Sequence, residues 1–257
     1  MTSESRSKIN RLLTVWPQGT VAVSRWLERQ GVYQQLALEY AKSGWIQRIG
    51  QGAYQRAGDT VGWTGGLYAL QEQVRLPVHV GAKTALQMQG YAHFLALGKG
   101  GTVWLFGAPT TRLPSWFERR DWGVGLRYTA TKLFADHNDA GLTRKELGTY
   151  SVTVSAPERA MMEVAHLIPT AESFEEADLR MEGLTTLRPG LVQRLLEQCR
   201  SIKVKRLFMY LAETHDHAWI KRLDLSKVDF GTGKRVIVKG GRFDPHYKIT
   251  VPDTVTG

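Results

Sequence analysis

Apolar residues return at Ile9, Leu12, Leu13 and Trp16, the three- and four-residue spacing of one helical face, before Pro17 closes the segment. Ser24 is placed to cap a second helix, Arg25 to Gln30, its hydroxyl oxygen accepting from a free backbone amide, with Trp26 and Leu27 as apolar anchors. Gly31 permits a tight turn. A third helix is predicted from Val32 or Tyr33 to Ser43, burying Tyr33, Leu36, Ala37 and Tyr40 and ending at Gly44, a residue type favoured just past a helix. Trp45 to Ile49 and Ala53 to Arg56 then alternate as two strands around Gly50-Gln51-Gly52. This order is that of a winged helix-turn-helix, which places its last helix in a DNA groove.

The outward face of that third helix is Gln34, Gln35, Leu38, Glu39 and Lys42. Gln34 and Gln35 fall near its N-terminus, where side chains meet base edges, and a glutamine amide offers adenine a donor and an acceptor together. Glu39 suits the groove only where it faces a cytosine amine, because a carboxylate repels phosphate. On the hairpin, Arg48, Gln51 and Arg56 are candidate phosphate or minor-groove contacts. The same spacing also suits a protein-interaction module with both glutamines merely solvated, so the pattern alone leaves the partner open.

Beyond "RAGDTVGW", where Gly58, Asp59 and Gly62 break the pattern, residues 61–257 are read as a second domain after a winged domain at 1–60. Helical spacing from Trp63 to Val74 is followed by the strand "PVHVG", a helix from Ala82 to Met88, and the strands "TVWLFG", "LRYTA" and "YSVTVS". Ser155 with Glu158, and Ser173 with Glu176, have capping-box spacing, Pro157 standing in the first turn after Ser155. Helices are predicted at Phe174 to Met181, Pro189 to Cys199 and Lys203 to Thr214. Short strands "KRVIVK" and "YKITVP" follow, around turn residues Gly240, Gly241, Asp244 and Pro245. The expected fold class is α+β, a winged helix-turn-helix followed by a larger mixed domain.

At 257 residues the chain is too long for one winged domain, and 42% apolar content supports a second core. No stretch approaches the eighteen apolar residues of a membrane span, so no membrane partner is expected. The first residues lack the apolar core of a signal peptide, and a single cysteine, Cys199, permits no internal disulfide; the cytoplasm is the expected location. The net charge of +10 is uneven: eight basic against four acidic residues in 1–60, fourteen against fourteen in 61–199, and twelve against six in 200–257. Both ends could therefore grip a polyanion, the C-terminal one through Arg200, Lys203, Lys205 and Arg206, through Lys234 and Arg235, and through further pairs such as Lys221 and Arg222. A solvated charged face is the plain alternative.

Catalytic patterns are weak. "GKGGT" at Gly98–Thr102 and "GTGKR" at Gly231–Arg235 lack full phosphate-loop spacing and read as turns. His215, Asp216 and His217 have no second ligand cluster, and the remaining histidines, 79, 93, 137, 166 and 246, are scattered. Ser155 is explained by its cap, and Cys199 sits on an apolar helix face with Leu195 and Leu196. Glu175, Glu176 and Asp178 form an acidic group on one predicted helix, which solvation explains unless it binds a metal or a basic partner. No catalytic residue, metal or cofactor is expected.

The phrases "WPQGTVAVSRWLERQG", "YAKSGWIQRIGQGAYQR", "LPVHVGAKTALQMQGYAHFL", "RLPSWF", "SAPERAMMEV", "SFEEADLRMEGLTTLRPGLVQRLLEQCRSIKVKRLFMYLAE" and "DFGTGKRVIVKGGRFDPHYKITVP" resemble the AbiEi family of antitoxins over nearly the whole chain. The resemblance implies an N-terminal winged domain that represses its own operon at inverted repeats. It also implies a C-terminal domain that opposes a nucleotidyltransferase-like toxin without requiring a stable complex, in a type IV system. It implies DNA contacts at Gln34, Gln35, Lys42, Arg48 and Arg56, and a basic surface at Arg200, Lys203, Lys205 and Arg206. Inverted repeats imply two protomers on one operator, whether or not the chain is a monomer in solution. The alternatives are a nucleic-acid-processing enzyme using a metal at Glu175, Glu176 and Asp178, and an RNA- or toxin-binding module without specific DNA binding.

Overall fold

The computed structural model describes residues 3–91, 101–134 and 139–253, with side chains from residue 7 onward. Helix α1 (Ser3–Val15) leads into strand β1 (Ala22–Val23), helices α2 (Ser24–Arg29) and α3 (Gln34–Lys42), and a hairpin of β2 (Ile46–Gly50) and β3 (Ala53–Arg56). The three strands form a sheet in the order β1-β3-β2. Ile9, Leu12 and Trp16 meet Leu27, Val32, Ala37, Tyr40, Ile46 and Tyr54 in one small core, so the helical stripe seen in the sequence is what holds the hairpin to the helices. Gly31 (φ 78°) and Gly44 (φ 72°) make left-handed turns on either side of α3 that other residue types adopt only with strain.

Two details here depart from the sequence pattern. Ser24 does not cap α2 but begins it; the cap position is Val23, and the Ser24 amide donates to the Gly52 carbonyl at 2.9 Å, tying the helix start to the hairpin tip. Tyr33 is not buried but 68% exposed, because its extended backbone (φ −74°, ψ 167°) precedes the helix and points the ring away from the core.

The second part begins with α4 (Trp63–Tyr68), which widens into a π-helical turn at Ala69–Gln73 where a single helix was expected. Then come β4 (Val78–Val80), α5 (Ala82–Met88), β5 (Thr102–Gly107), the single turn α6 (Ser115–Glu118), β6 (Gly125–Ala130), β7 (Leu142–Glu146) and β8 (Ser151–Ser155). They build a mixed five-stranded sheet in the order β6-β5-β4-β8-β7, parallel between β5 and β6 and between β4 and β8. Helix α7 (Pro157–Leu167) is buried along nearly its whole length, under α8 (Phe174–Glu182), α9 (Pro189–Gln198) and α10 (Ile202–Thr214). A small sheet of β9 (Arg235–Val236), β10 (Arg242–Asp244) and β11 (Ile249–Val251) ends the described chain, with β11 in the middle. The whole is α+β.

The Ser173 cap is in place, its hydroxyl accepting from the Glu176 amide at 3.0 Å. The Ser155–Glu158 capping box does not form: α7 starts one residue later, at an Ala156 cap, leaving Ser155 to donate to Glu163 and Glu158 to accept from Arg188. Glu163 is the hub of the second core, accepting from His79 Nε2 (2.8 Å), Arg159 Nε (3.1 Å), Ser155 Oγ (2.8 Å) and the Ala82 amide (3.0 Å). Burial would raise its carboxyl, but His79, Arg159 and the amide outweigh burial and hold it below the usual carboxylate range.

The winged part does not stand apart. The Gln73 side chain accepts from the Val23 amide (2.9 Å) and donates to the Val21 carbonyl (2.8 Å), closing the free edge of β1, and its own carbonyl accepts from Arg29. Val21, Val23 and Ala53 belong to the same continuous core as the five-stranded sheet.

Candidate nucleic-acid interface

Helix α3 turns Ala37 and Tyr40 into the core and leaves Gln34, Gln35, Leu38, Glu39 and Lys42 exposed. The exposed Tyr33 ring adds to this face at its N-terminal end, a contribution that sequence spacing hid by giving Tyr33 a core position. Leu38 is 43% exposed, an apolar spot among amides and charges of the kind that meets a thymine methyl. On the hairpin, Arg48 and Gln51 are exposed; a bulge between Arg48 and Gly50 bends β2, and Arg48 Nε donates to the Gly50 carbonyl at 3.1 Å. Gly50 lies hard against α6: a Cβ there would sit 2.7 Å from the Trp116 Cβ. The second domain therefore backs the wing.

Arg56 is placed differently from expectation. Its guanidinium reaches back to the carbonyls of Leu13 (3.3 Å) and Trp16 (2.9 Å), satisfying the end of α1, so it is a strut inside the winged part and not a free contact.

The proposed basic surface of the second domain is also redrawn. Arg200 is exposed, but Lys205 and Arg206 are 4% and 2% exposed. Arg206 donates to the carbonyls of Phe230 (2.7 Å), Gly231 (2.9 Å), Gly233 (2.5 Å) and Lys248 (3.3 Å), pinning the chain that enters the small sheet. Lys203 is half-buried and donates to the carbonyls of His166 and Ile168 at the end of α7, and burial lowers its ammonium below the usual lysine range. Lys203 and Arg206 act as anchors because carbonyls without a partner, at helix ends and in loops, take up cationic donors, while Lys205 is withdrawn from the surface by burial alone. Lys234 and Arg235 remain exposed.

The groups considered for catalysis do not converge. His215 Nε2 pairs with Asp178 at 2.9 Å, and His217 Nε2 with the Met181 carbonyl at 2.7 Å. Glu176 pairs with Arg180 at 3.4 Å. Among the described residues no three His, Cys, Asp or Glu side chains are grouped to hold a metal ion. Cys199 is buried and its thiol is pushed up to about 11, well away from a reactive thiolate. Gly231–Arg235 is a loop into β9; His93, His137 and residues 98–100 of "GKGGT" lie outside the described residues. Among the described residues no helix is long and apolar enough to cross a membrane.

A family described as "Transcriptional regulator, AbiEi antitoxin, Type IV TA system" matches residues 100–252, and its "AbiEi antitoxin N-terminal domain" matches residues 5–97. No curated protein matches significantly. Among solved structures, the RV2827C protein from Mycobacterium tuberculosis aligns over 97% of this chain and 92% of its own, with a TM-score of 0.60 and 14% sequence identity, a likeness of fold. Matched in both its parts, the chain belongs to the AbiEi antitoxin family, transcriptional regulators of type IV toxin–antitoxin systems.

Proposed function

We propose that this protein is a DNA-binding autorepressor, reading inverted repeats in its own promoter with α3, and an antitoxin whose second domain counteracts a nucleotidyltransferase-like toxin. The observation that carries the DNA reading is the exposed face Gln34, Gln35, Leu38, Glu39 and Lys42 of the helix that follows the tight turn, with Tyr33 exposed just before it and a flanking wing with Arg48 and Gln51 outward. Amides at the start of a recognition helix suit base edges, and wing cations suit phosphate. Two protomers on one operator place equivalent helices about one DNA turn apart, or a multiple of it.

Paired substitutions test the assignment on the upstream DNA. Gln34→Ala and Gln35→Ala should change base preference at defined positions, each by about 1–3 kcal/mol, whereas Arg48→Glu should weaken all duplexes alike. Equal losses on specific and random DNA for all three variants would remove α3 from base reading. For the antitoxin role, growth arrest on expressing the adjacent toxin gene should be relieved by the wild-type chain and by Gln34→Ala. Relief that disappears with DNA binding would place the whole effect in repression.

A further inference from the structure

The C-terminal sheet carries chemistry that DNA reading by α3 does not use. Register sets Phe243 beside Thr250 and Thr250 beside Val236, so these three share the outer face of the sheet, while Ile249 and Val251, fully buried, face the core. Phe243 is 40% and Val236 65% exposed. The Lys234 ammonium stands 4.9 Å from the centroid of the Phe243 ring, and Arg235, Lys239, Arg242 and Lys248 are exposed around it. Neighbouring carboxylates each take a hydrogen bond from the chain itself, although Asp229 and Glu213 stay exposed: Asp229 accepts from the Gly231 amide, Asp244 from the Tyr247 amide and Glu213 from the Tyr247 hydroxyl, while Asp253 follows β11. Beside the sheet lies a cavity of about 290 Å³ lined by Arg206, Phe230, His246, Tyr247 and Lys248. The four carbonyl bonds of buried Arg206 hold the loop before β9 and the start of β11 in place, so the surface is formed before any partner arrives.

From this arrangement we infer that the C-terminal sheet is a platform for single-stranded nucleic acid. Cations ring an exposed aromatic face, with an aromatic-lined notch alongside. Phosphates pair with the cations while unstacked bases cover Phe243 and enter the notch. A duplex, with its bases stacked inside, would leave Phe243 and Val236 uncovered, and an acidic protein surface would use the cations and leave the notch empty. The inference is independent of α3 and holds whether or not the wing reads an operator.

Fluorescence anisotropy of the full-length protein with short labelled single strands of RNA and of DNA, and with a matched duplex, tests it. Binding to either single strand is expected, and the stronger of the two identifies the natural class. Phe243→Ala should weaken it roughly tenfold, and Lys234→Ala and Lys248→Ala should each lower the salt slope by about 0.7. Arg127→Ala, an exposed cation on β6, should leave binding unchanged, and all four variants should keep wild-type thermal unfolding. The platform is overturned by wild-type single-strand affinity in Phe243→Ala, by an equal loss in Arg127→Ala, or by polyglutamate binding as tightly as RNA.

Discussion

Residue by residue, the positions that decide stability are charged side chains turned inward. Glu163 is buried and accepts four hydrogen bonds, so removing its charge leaves His79 and Arg159 facing a neutral group. Glu163→Gln should cost about 3 kcal/mol, read as a lower midpoint in denaturant unfolding, while Gln34→Ala should not shift it. Because the folded carboxyl is held below its ordinary value of 4.5, its contribution is present above that pH and is lost as pH falls through the folded value. The wild type should therefore lose stability on acidification below about pH 4.5 more steeply than Glu163→Gln, and parallel curves would assign the acid sensitivity elsewhere. Arg206→Ala should likewise act on folding, by at least about 2 kcal/mol, since it strands carbonyls of two segments, 230–233 and Lys248. None of this was legible in the sequence. Positive charge there suggests a surface, and whether Arg56 or Arg206 turns inward depends on chain segments 24 to 43 residues away that meet only in the fold.

Among the elements, α5 and β5 end where apolar spacing ends them, at Ala82–Met88 and Thr102–Gly107, and α3 lies within the predicted bounds. α3 carries a helical stripe and β5 a continuous apolar run buried on both faces, and these are patterns a sequence displays directly. Strand β7, "LTRKE", has no such stripe, because it is an edge strand paired only with β8 and half in solvent; β10 was hidden among turn residues for the same reason. The π-turn at Ala69–Gln73 was masked because its apolar residues fit a helix equally well. It matters because it carries Gln73, which closes β1. Close approach explains one glycine in this region: a Cβ on Gly65 would stand 2.0 Å from the Gly19 carbonyl oxygen, a backbone atom that cannot yield cheaply. Gly65→Ala should therefore destabilise by about 1–3 kcal/mol and loosen the winged part against the sheet, seen as faster amide exchange at Val21 and Val23.

For the molecule as a whole, the break at Gly58–Gly62 reads as a domain boundary in the sequence, yet contacts in the fold cross it repeatedly. Gln73 holds β1, Thr149 donates to the Gln18 carbonyl at 3.0 Å, and Trp116 covers Gly50. The turn chemistry was real, but what packs on either side of a turn is set by long-range contacts that a single sequence does not display. A fragment of residues 1–60 should accordingly fail to give a cooperative thermal transition, because it leaves the β1 edge unpaired and exposes Val21, Val23 and Ala53; a sharp transition would show the winged part to be self-sufficient. The rigid setting also bears on function, since a wing braced by the second domain presents α3 and Arg48 without further ordering. The most direct test is the affinity of the purified protein for its own upstream DNA against a random duplex across a salt series. A preference that persists at about 150 mM salt is the predicted result, because contacts to base edges outlast counterion release. Equal affinity for both duplexes, falling together as salt rises, would contradict sequence-specific repression.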